Sequence, residues 1–246
     1  MRGRQVFMDS LMAHGVDKIF GNPGTTESPL LDSLQNYPEI EYIVALHEGI
    51  AVGAASFYAQ ASGKTPAVNL HVAPGLGNGI GMMYSALKAN SHVIVTAGQQ
   101  DNRLRLRAPV LGHDLVSMAT PVTKLAVQVE RADEMAAVMH RAFKVANEAP
   151  AGPVFVALPI NVMEQETENC AGASKQMYAS PHPDLDSIAA VTEVVKTAQS
   201  PAVVVSDDVA RAGATDDLVA LVEAMGAGVW FEAIRHHSAF PNRHPN

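Results

Sequence analysis

The 246-residue chain has one cysteine, Cys170, and few charged or aromatic residues, 17% and 5% of the total. One thiol can form neither an intrachain disulfide nor a cysteine zinc cluster. The net charge is −8, so the chain lacks the excess of basic residues that binds nucleic-acid phosphates. This argues against a nucleic-acid partner. No run approaches the roughly 20 apolar residues of a membrane helix, and the N-terminus lacks the apolar core of a signal peptide. We therefore expect a cytoplasmic protein with no membrane partner.

Apolar residues make up 48% of the chain, which excludes disorder. Short apolar runs alternate with helical segments, and unbroken apolar strands between helices are typical of a parallel sheet covered on both faces. We therefore predict an α/β fold, a doubly wound parallel sheet with helices on both faces, followed by the start of a second α/β domain. The predicted strands of the first domain are Lys18–Phe20, Tyr42–Leu46, Ala67–Leu70, His92–Ala97 and Val154–Leu158, and its predicted helices are Gln5–His14, Thr25–Gln35, Ala51–Ala61, Met82–Leu87 and Ala132–Asn147.

The composition changes near residue 163 and divides the chain. Residues 1–163 form the predicted first domain, and the polar, aperiodic residues 164–183 are interpreted as a linker. Residues 184–246 then alternate helix and strand twice, and roughly 65 residues make a marginal core by themselves. We expect them to be a partial domain, so that the chain is a fragment, a truncated frame or one subunit of a split enzyme.

Ligands of parallel α/β sheets bind in the loops that follow the strands, and the first such loop is Gly21–Glu27. It is interpreted either as a tight turn with a threonine cap and a favourable first-turn Glu27, or as a place where a ligand approaches the backbone closely. The sequence by itself favours the turn.

The second loop carries Glu48, directly after an apolar strand. Glu48 either complements a helix dipole or is a buried carboxylate, whose pKa would be raised unless it is paired. The helix that follows has small residues four apart, Gly49 with Gly53 and Ala51 with Ala55. This spacing allows close approach to the sheet or to a second subunit.

The third loop, His71–Gly79, resembles a phosphate-binding loop, but Ile80 stands where G-x-G-x-x-G requires its third glycine. A nicotinamide dehydrogenase is therefore weakly supported. His71 is either an acid/base group or a surface histidine. The remaining candidates, His47, His92 and His113, lack metal-ligand spacing, so no metal site is predicted in this chain.

Taken together, the three loops resemble the thiamine-diphosphate-dependent 2-oxo acid decarboxylases and carboligases. The benzoylformate decarboxylases are the nearest branch and the acetolactate synthases are more distant. Five segments carry the resemblance in the same order: VDKIFGNPGTTE, YIVALHEGIAVGAASFYAQASGKTPAVNLH, APGLGNGIG, VIVTAGQQ and APAGPVFVALP.

The resemblance implies roles for individual residues of this sequence. Glu48 matches the glutamate that hydrogen-bonds N1′ of the cofactor's aminopyrimidine, and His71 matches a histidine that moves protons on substrate-derived groups. The remaining implied contacts are to the cofactor at Pro23, Gly24, Gly75 and Asn78, and to the substrate at Thr25, Leu111 and His113. Thr26 replaces an asparagine of the benzoylformate enzymes, which leaves aromatic specificity open.

The resemblance also implies that half of the site lies elsewhere. Family members hold Mg²⁺ and the diphosphate with a Gly-Asp-Gly motif and a downstream asparagine in a C-terminal domain, and this sequence contains no Gly-Asp-Gly. We therefore expect the chain to be inactive alone. It would act as a homodimer or higher oligomer, or with a partner polypeptide that carries the diphosphate-binding domain.

The expected activity is the decarboxylation of a small 2-oxo acid, which makes the protein a thiamine-diphosphate-dependent lyase. The alternatives are an acetolactate-synthase-like carboligase and an inert dimerisation or regulatory module that kept the fold.

Overall fold

The computed structural model of the chain describes residues 1–172 and 182–245, so residues 173–181 of the predicted linker lie outside the described part. The chain divides into two compact units, Met1–Tyr178 and Ala179–Asn246. The strands of the first unit are β1 (Lys18–Gly21), β2 (Glu41–Val44), β3 (Ala67–Leu70), β4 (Ile94–Gln99), β5 (Leu125–Gln128) and β6 (Val154–Pro159). Its α-helices are α1 (Gly3–Ala13), α2 (Ser28–Ser33), α3 (Glu48–Ser62), α4 (Val72–Lys88), α5 (Leu115–Ala119), α6 (Met135–Asn147) and α7 (Ile160–Glu164).

The six strands form one sheet in the order β2-β1-β3-β4-β6-β5. Every pairing is parallel. The chain passes from β1 to β2 on one side and then to β3 on the other, so the strand order reverses at β1. In open parallel sheets this reversal leaves a crevice at the carboxyl ends of the strands, where ligands bind.

Alternate residues of the central strands enter two separate cores. Ile94 and Val154 belong to the core that contains Phe7 of α1 and Phe143 of α6. Their neighbours Val95 and Phe155 belong instead to the core beneath α3, α4 and α5. Because successive side chains of a strand point to opposite faces, this alternation places helices on both faces of the sheet. The predicted α/β class is confirmed.

The predicted buried strand Tyr42–Leu46 is wrong in its burial. The strand β2 stops at Val44, lies at the edge of the six-stranded sheet and, among the described strands, pairs only with β1. Val44 is 63% exposed and Leu46 is 91% exposed. An apolar run does not by itself distinguish an edge strand from a central one.

The predicted loop after His71 is also wrong, because α4 begins at Val72 and includes Gly75 and Asn78. Glycine lowers helix propensity, and several glycines here favoured a loop. Packing overrides that preference: a Cβ at Gly79 would lie 3.1 Å from Cδ1 of Leu70, and a Cβ at Gly53 would lie 3.1 Å from Cε of Met82. The small residues of α3 thus allow the close approach of α4 within the same chain.

The second unit, taken by itself, contains a two-stranded parallel sheet. Its elements are α8 (Leu185–Thr197), β7 (Ala202–Val205), α9 (Asp207–Arg211), α10 (Thr215–Met225) and β8 (Gly228–Phe231). A small core joins Val205, Val222 and Phe240, whereas α8 buries none of its residues.

None of the described helices is long and apolar enough to cross a membrane.

The first residues of the predicted linker are attached to the first unit. The backbone N–H of Gly3 donates to the carbonyl of Gln165 at 2.9 Å, and the N-terminal amine donates to the carbonyl of Thr167 at 2.9 Å. The domain limits 1–163, 164–183 and 184–246 stay predictions.

Candidate active site

Three segments meet at the crevice beside β1. The segment Asn22–Glu27 follows β1, Glu48 begins α3 after β2, and His71 lies between β3 and α4. The register holds them at one level, because the N–H of Asn22 donates to the carbonyl of Asn69 and the N–H of Ala45 donates to the carbonyl of Gly21. The sheet therefore brings all three predicted loops to one edge.

Glu48 lies at the first position of α3 and is 6% exposed. Nδ2 of Asn22 donates to its Oε1 at 3.1 Å, and Nδ2 of Asn78 donates to its Oε2 at 3.0 Å. Neutral amide donors thus satisfy both oxygens. Within the described residues no lysine or arginine forms a salt bridge with this carboxylate.

The pKa of Glu48 follows from this environment. Burial raises it, but the hydrogen bonds from the backbone, from Asn78 and from Asn22 outweigh burial and hold the pKa below its ordinary value. From the sequence we expect a raised pKa only if the Glu48 carboxylate has no hydrogen-bond partner. Because Asn22 and Asn78 both donate to it, that condition is not met.

His71 faces a second buried carboxylate, Glu27. Nδ1 of His71 lies 2.7 Å from Oε2 of Glu27, whose side chain is 1% exposed. The same Oε2 accepts from the N–H of Gly24 at 2.8 Å, and Oε1 accepts from the hydroxyl of Thr26 at 2.6 Å. Oγ1 of Thr26 also lies 3.2 Å from Nδ1 of His71.

Glycines shape the space around these groups. A Cβ at Gly24 would lie 2.3 Å from Nδ1 of His71, and a Cβ at Gly98 would lie 1.9 Å from Oε1 of Glu27. A Cβ at Gly75 would lie 3.4 Å from Oε1 of Glu48 and 3.5 Å from Cβ of His71. Gly75 therefore borders both Glu48 and His71, and the two clusters are neighbours.

The predicted substrate residues are less tightly connected. Thr25 is exposed, and Pro23 is partly buried in the same loop. Leu111 adopts a left-handed φ of 66°, and its carbonyl accepts from the N–H of Ala73 at 3.4 Å. The loop after β4 therefore contacts the start of α4, next to His71.

His113 lies further along that loop. Its carbonyl accepts from Nε2 of Gln99 at 2.7 Å, and its Nδ1 accepts from the N–H of Asp114 at 2.8 Å. His113 lines a cavity of about 440 Å³ together with Gln99, Asp101, Arg105, Asp114 and Glu130. No hydrogen bond joins His113 to Glu48 or His71 in the described part of the chain.

Among residues 1–172 and 182–245, no cluster of three or more histidine, cysteine or acidic side chains is placed to hold a metal ion.

Sequence reasoning missed the partners of the two principal residues. The sequence favours a first-turn glutamate at Glu27 and a tight turn that includes Asn22. The signal that was available is their place directly after β1, since polar residues that follow neighbouring parallel strands meet at one edge. Nothing in the sequence indicates that a side chain at position 98 would collide with the carboxylate of Glu27.

Comparisons with known proteins show which proteins the chain resembles. A family model described as the N-terminal TPP-binding domain of thiamine pyrophosphate enzymes matches residues 1–119. Benzoylformate decarboxylase of Pseudomonas aeruginosa is 32% identical over 240 residues, which cover 95% of this chain and 44% of that enzyme. Acetolactate synthase of Bacillus subtilis is 30% identical over 210 residues, which cover 83% of this chain and 36% of that enzyme.

A solved structure shows the same fold. The crystal structure of benzoylformate decarboxylase from Polynucleobacter necessarius superposes with a TM-score of 0.93 at 29% identity, covering 100% of this chain and 46% of that one. The chain thus spans less than half the length of these relatives. It belongs to the thiamine pyrophosphate enzymes and carries their N-terminal TPP-binding domain, as the sequence resemblance predicted.

Proposed function

We propose that the chain forms the aminopyrimidine side of a thiamine-diphosphate site in an enzyme that decarboxylates a small 2-oxo acid. The observation that carries the proposal is Glu48, a buried carboxylate at the crevice whose partners are the neutral amides of Asn22 and Asn78. Amide donors keep the negative charge of Glu48 uncompensated, so it is available to a protonated ring nitrogen.

The residues present fit the pyrimidine half of this cofactor. The lowered pKa of Glu48 keeps its carboxylate as a hydrogen-bond acceptor at neutral pH, and a protonated N1′ is a donor. Gly75 has no side chain to fill the space beside Glu48, and Gly24 has none that would displace the ring of His71. When bound, thiamine diphosphate supplies the nucleophilic carbon that attacks the 2-oxo group and accepts the electrons released with CO₂.

The other side chains receive roles in binding and proton transfer. Glu48 orients the pyrimidine and holds a proton at N1′, with Asn78 and Asn22 fixing its carboxylate. His71 gives and takes protons on substrate-derived groups through its ring. The hydroxyl of Thr25 contacts the substrate carboxylate, and Leu111 and His113 border the substrate, with Pro23 and Gly24 beside the pyrimidine.

Mg²⁺ and the diphosphate need a second set of ligands. We infer that they come from a region matching the part of the relatives that this chain does not cover. Exposed apolar residues near the crevice, Leu46 at 91% and Ile50 at 60%, are consistent with a covering chain. Homodimer formation, a partner polypeptide and a cytoplasmic location stay predictions.

Carboligation is the second candidate activity. It is favoured by the likeness to acetolactate synthase of Bacillus subtilis, which covers 83% of the chain. Incubating the active protein with pyruvate distinguishes the two candidates. A decarboxylase releases CO₂ and an aldehyde, whereas a carboligase releases CO₂ from one pyruvate and joins the remaining two carbons to a second pyruvate, which gives a 2-hydroxy-3-oxo acid.

The direct test is binding of the pyrimidine fragment to the chain itself. 4-Amino-2-methylpyrimidine is titrated while the side-chain amide signals of Asn22 and Asn78 are followed by NMR. We expect these signals to shift, and Glu48→Gln to abolish the shift. Glu41→Gln is the matched control, since Glu41 lies on the surface in an ion pair with Lys18. Unchanged binding in Glu48→Gln would remove Glu48 from the site.

A domain exchange tests the activity. This chain replaces the matching region of the Pseudomonas aeruginosa enzyme, which supplies the remainder of the site. In an active exchange protein, Glu48→Gln is expected to lower kcat at least about 10²-fold, since proton transfer by a positioned group contributes that much. Turnover equal to that of the Glu41→Gln control would refute the assignment.

A further inference from the structure

Glu27 is the most completely buried carboxylate near the crevice, and its environment is unusual. Its side chain is 1% exposed. Within the described residues its salt-bridge partner is His71, and no arginine or lysine pairs with it. Burying a carboxylate is costly unless its oxygens are hydrogen-bonded. The N–H of Gly24, the hydroxyl of Thr26 and the ring of His71 together satisfy it.

A helix-capping role explains only part of this arrangement. The N–H of Gly24 donates to Glu27 across three residues, as a capping glutamate would accept it. An exposed glutamate would serve equally well for that bond. Capping explains neither the full burial of Glu27 nor its 2.7 Å contact with a histidine that follows another strand.

The contact determines which nitrogen of His71 carries a proton. A carboxylate only accepts hydrogen bonds, so Nδ1 of His71 is the donor in the 2.7 Å contact. Neutral His71 is then the Nδ1–H tautomer, and Nε2 holds the lone pair. No hydrogen bond is formed at Nε2 within residues 1–172 and 182–245, and the side chain is 25% exposed.

The ring is also held from a second side. A Cβ at Gly24 would lie 2.3 Å from Nδ1 and 2.4 Å from Cε1 of His71, so the backbone of Gly24 lies directly against the ring. Gly24 also donates to the oxygen that His71 contacts. Backbone and carboxylate together leave the ring little freedom to rotate.

We propose that Glu27 is a positioning residue that holds His71 as the Nδ1–H tautomer and directs its Nε2 toward the substrate. This inference rests on the proposed function, which gives His71 its proton-transfer role. In each transfer Nε2 takes a proton from a substrate-derived group or returns it, and Nδ1–H stays hydrogen-bonded. Glu27 stabilises the positive charge on the ring while both nitrogens are protonated, as a carboxylate partner does for other catalytic histidines.

The first test reads the tautomer of His71 directly. Long-range ¹H–¹⁵N spectra of the full chain, with His71→Gln to assign the signal, report which ring nitrogen is protonated at a pH where the ring is neutral. We expect Nδ1–H in the wild type. In Glu27→Ala we expect a shift toward Nε2–H, the tautomer that free histidine prefers. Glu41→Gln serves as the surface control and is expected to match the wild type.

The results divide clearly. A wild-type His71 in the Nε2–H form overturns the proposal, as does a Glu27→Ala chain that folds and keeps Nδ1–H. If Glu27→Ala does not fold, the wild-type spectrum still decides. Glu27→Gln, which retains an acceptor oxygen, gives the second comparison. Its Nδ1–H form should persist without the negative charge.

Turnover in the domain-exchange protein separates positioning from plain stability. Glu27→Gln is expected to lower kcat on the order of 10²-fold with little change in KM, while the melting temperature falls by only a few degrees. Equal kcat in Glu27→Gln and Glu41→Gln would show that the charge of Glu27 does not act on His71. The proposed function and this inference can fail separately, because the pyrimidine titration tests Glu48 and does not involve Glu27. If the wild-type chain does not bind the pyrimidine, the proposed function is refuted and the tautomer result still stands.

Discussion

Adding one methyl group at Gly98 should disrupt the Glu27–His71 pair without touching either side chain by mutation. Gly98 lies in β4, and a Cβ there would lie 1.9 Å from Oε1 of Glu27 and 2.5 Å from Oγ1 of Thr26. Ordinary carbon contacts are about 3.5 Å, so the carboxylate must move by more than an ångström. A flexible side chain would yield cheaply, but Glu27 is buried and held by three donors.

The size of the effect follows from the bonds that this movement breaks. Glu27 accepts at 2.8 Å from Gly24, at 2.6 Å from Thr26 and at 2.7 Å from His71. Hydrogen bonds to a charged group contribute about 1.5–3 kcal/mol each. Losing one or two of them gives about 3 kcal/mol of destabilisation in Gly98→Ala, which lowers the melting temperature by about 6–12 °C in a unit of this size.

The matched control is Gly81→Ala in α4. A Cβ at Gly81 meets nothing within 4 Å, and alanine is favoured over glycine inside a helix by roughly 0.5–1 kcal/mol. The same substitution should therefore stabilise the chain at Gly81 and destabilise it at Gly98. Urea unfolding gives the free energies, and amide hydrogen exchange locates the change in β3 and β4. Two variants of equal stability, or unchanged exchange in these strands, would refute the close approach of Gly98 to Glu27.

Three further outcomes concern pH and the carboxylate of Glu48. Burial lowers the pKa of His14 below 6.5, so below pH 6.5 the unfolded chain binds more protons than the folded chain and the free energy of unfolding falls. His14→Phe keeps a ring against Phe143 and removes the titrating group. Urea unfolding between pH 5 and 7 should therefore show a smaller loss of stability in this variant. The lowered pKa of Glu48 contributes stability that is present above 4.5 and lost on further acidification, so the stability difference between wild type and Glu48→Gln should shrink below that pH. Removing the Oε2 donor with Asn78→Leu should raise the pKa of Glu48, and a ¹³C titration of its carboxyl carbon that shows no rise would contradict the role of Asn78.

The alternation of strands and helices could be predicted from the sequence because buried parallel strands are unbroken apolar runs. Val154–Leu158 and Ala67–Leu70 were found almost to the residue. The strand β5, Leu125–Gln128, was missed, since it is short and all of its residues are only partly buried. The strand β2 shows the opposite failure, because its run is as apolar as that of a central strand and its exposure follows from its place at the edge of the sheet.

The helix α4 shows where local propensity fails. Glycines at 75 and 79 favour a loop by propensity, but each occupies a place where the helix approaches Glu48, Leu70 or His71. Only the tertiary structure shows that those glycines are contact positions. Local conflict with the fold is expected at functional sites, and here it coincides with the predicted site.

The hydrogen-bond partners of the two carboxylates could not be predicted from composition or spacing. Glu48 and Asn78 are 30 residues apart, and Glu27 and His71 are 44 apart. Both pairs depend on which strands are neighbours in the sheet. The strand order β2-β1-β3 could not be predicted from the sequence, and this order brings the loops after these strands together.

The two carboxylates of the crevice are satisfied in opposite ways, and the difference assigns them different chemistry. Glu48 receives hydrogen bonds from neutral amides, so under the proposed function its charge is left for the bound cofactor. Glu27 is enclosed with His71 and cannot meet a ligand, since its side chain is 1% exposed. A carboxylate that faces a ligand can orient it and stabilise its protonated form, whereas an enclosed carboxylate acts only through the neighbouring side chain. Because Gly75 borders both clusters, a bound pyrimidine beside Glu48 would lie close to the ring that Glu27 holds.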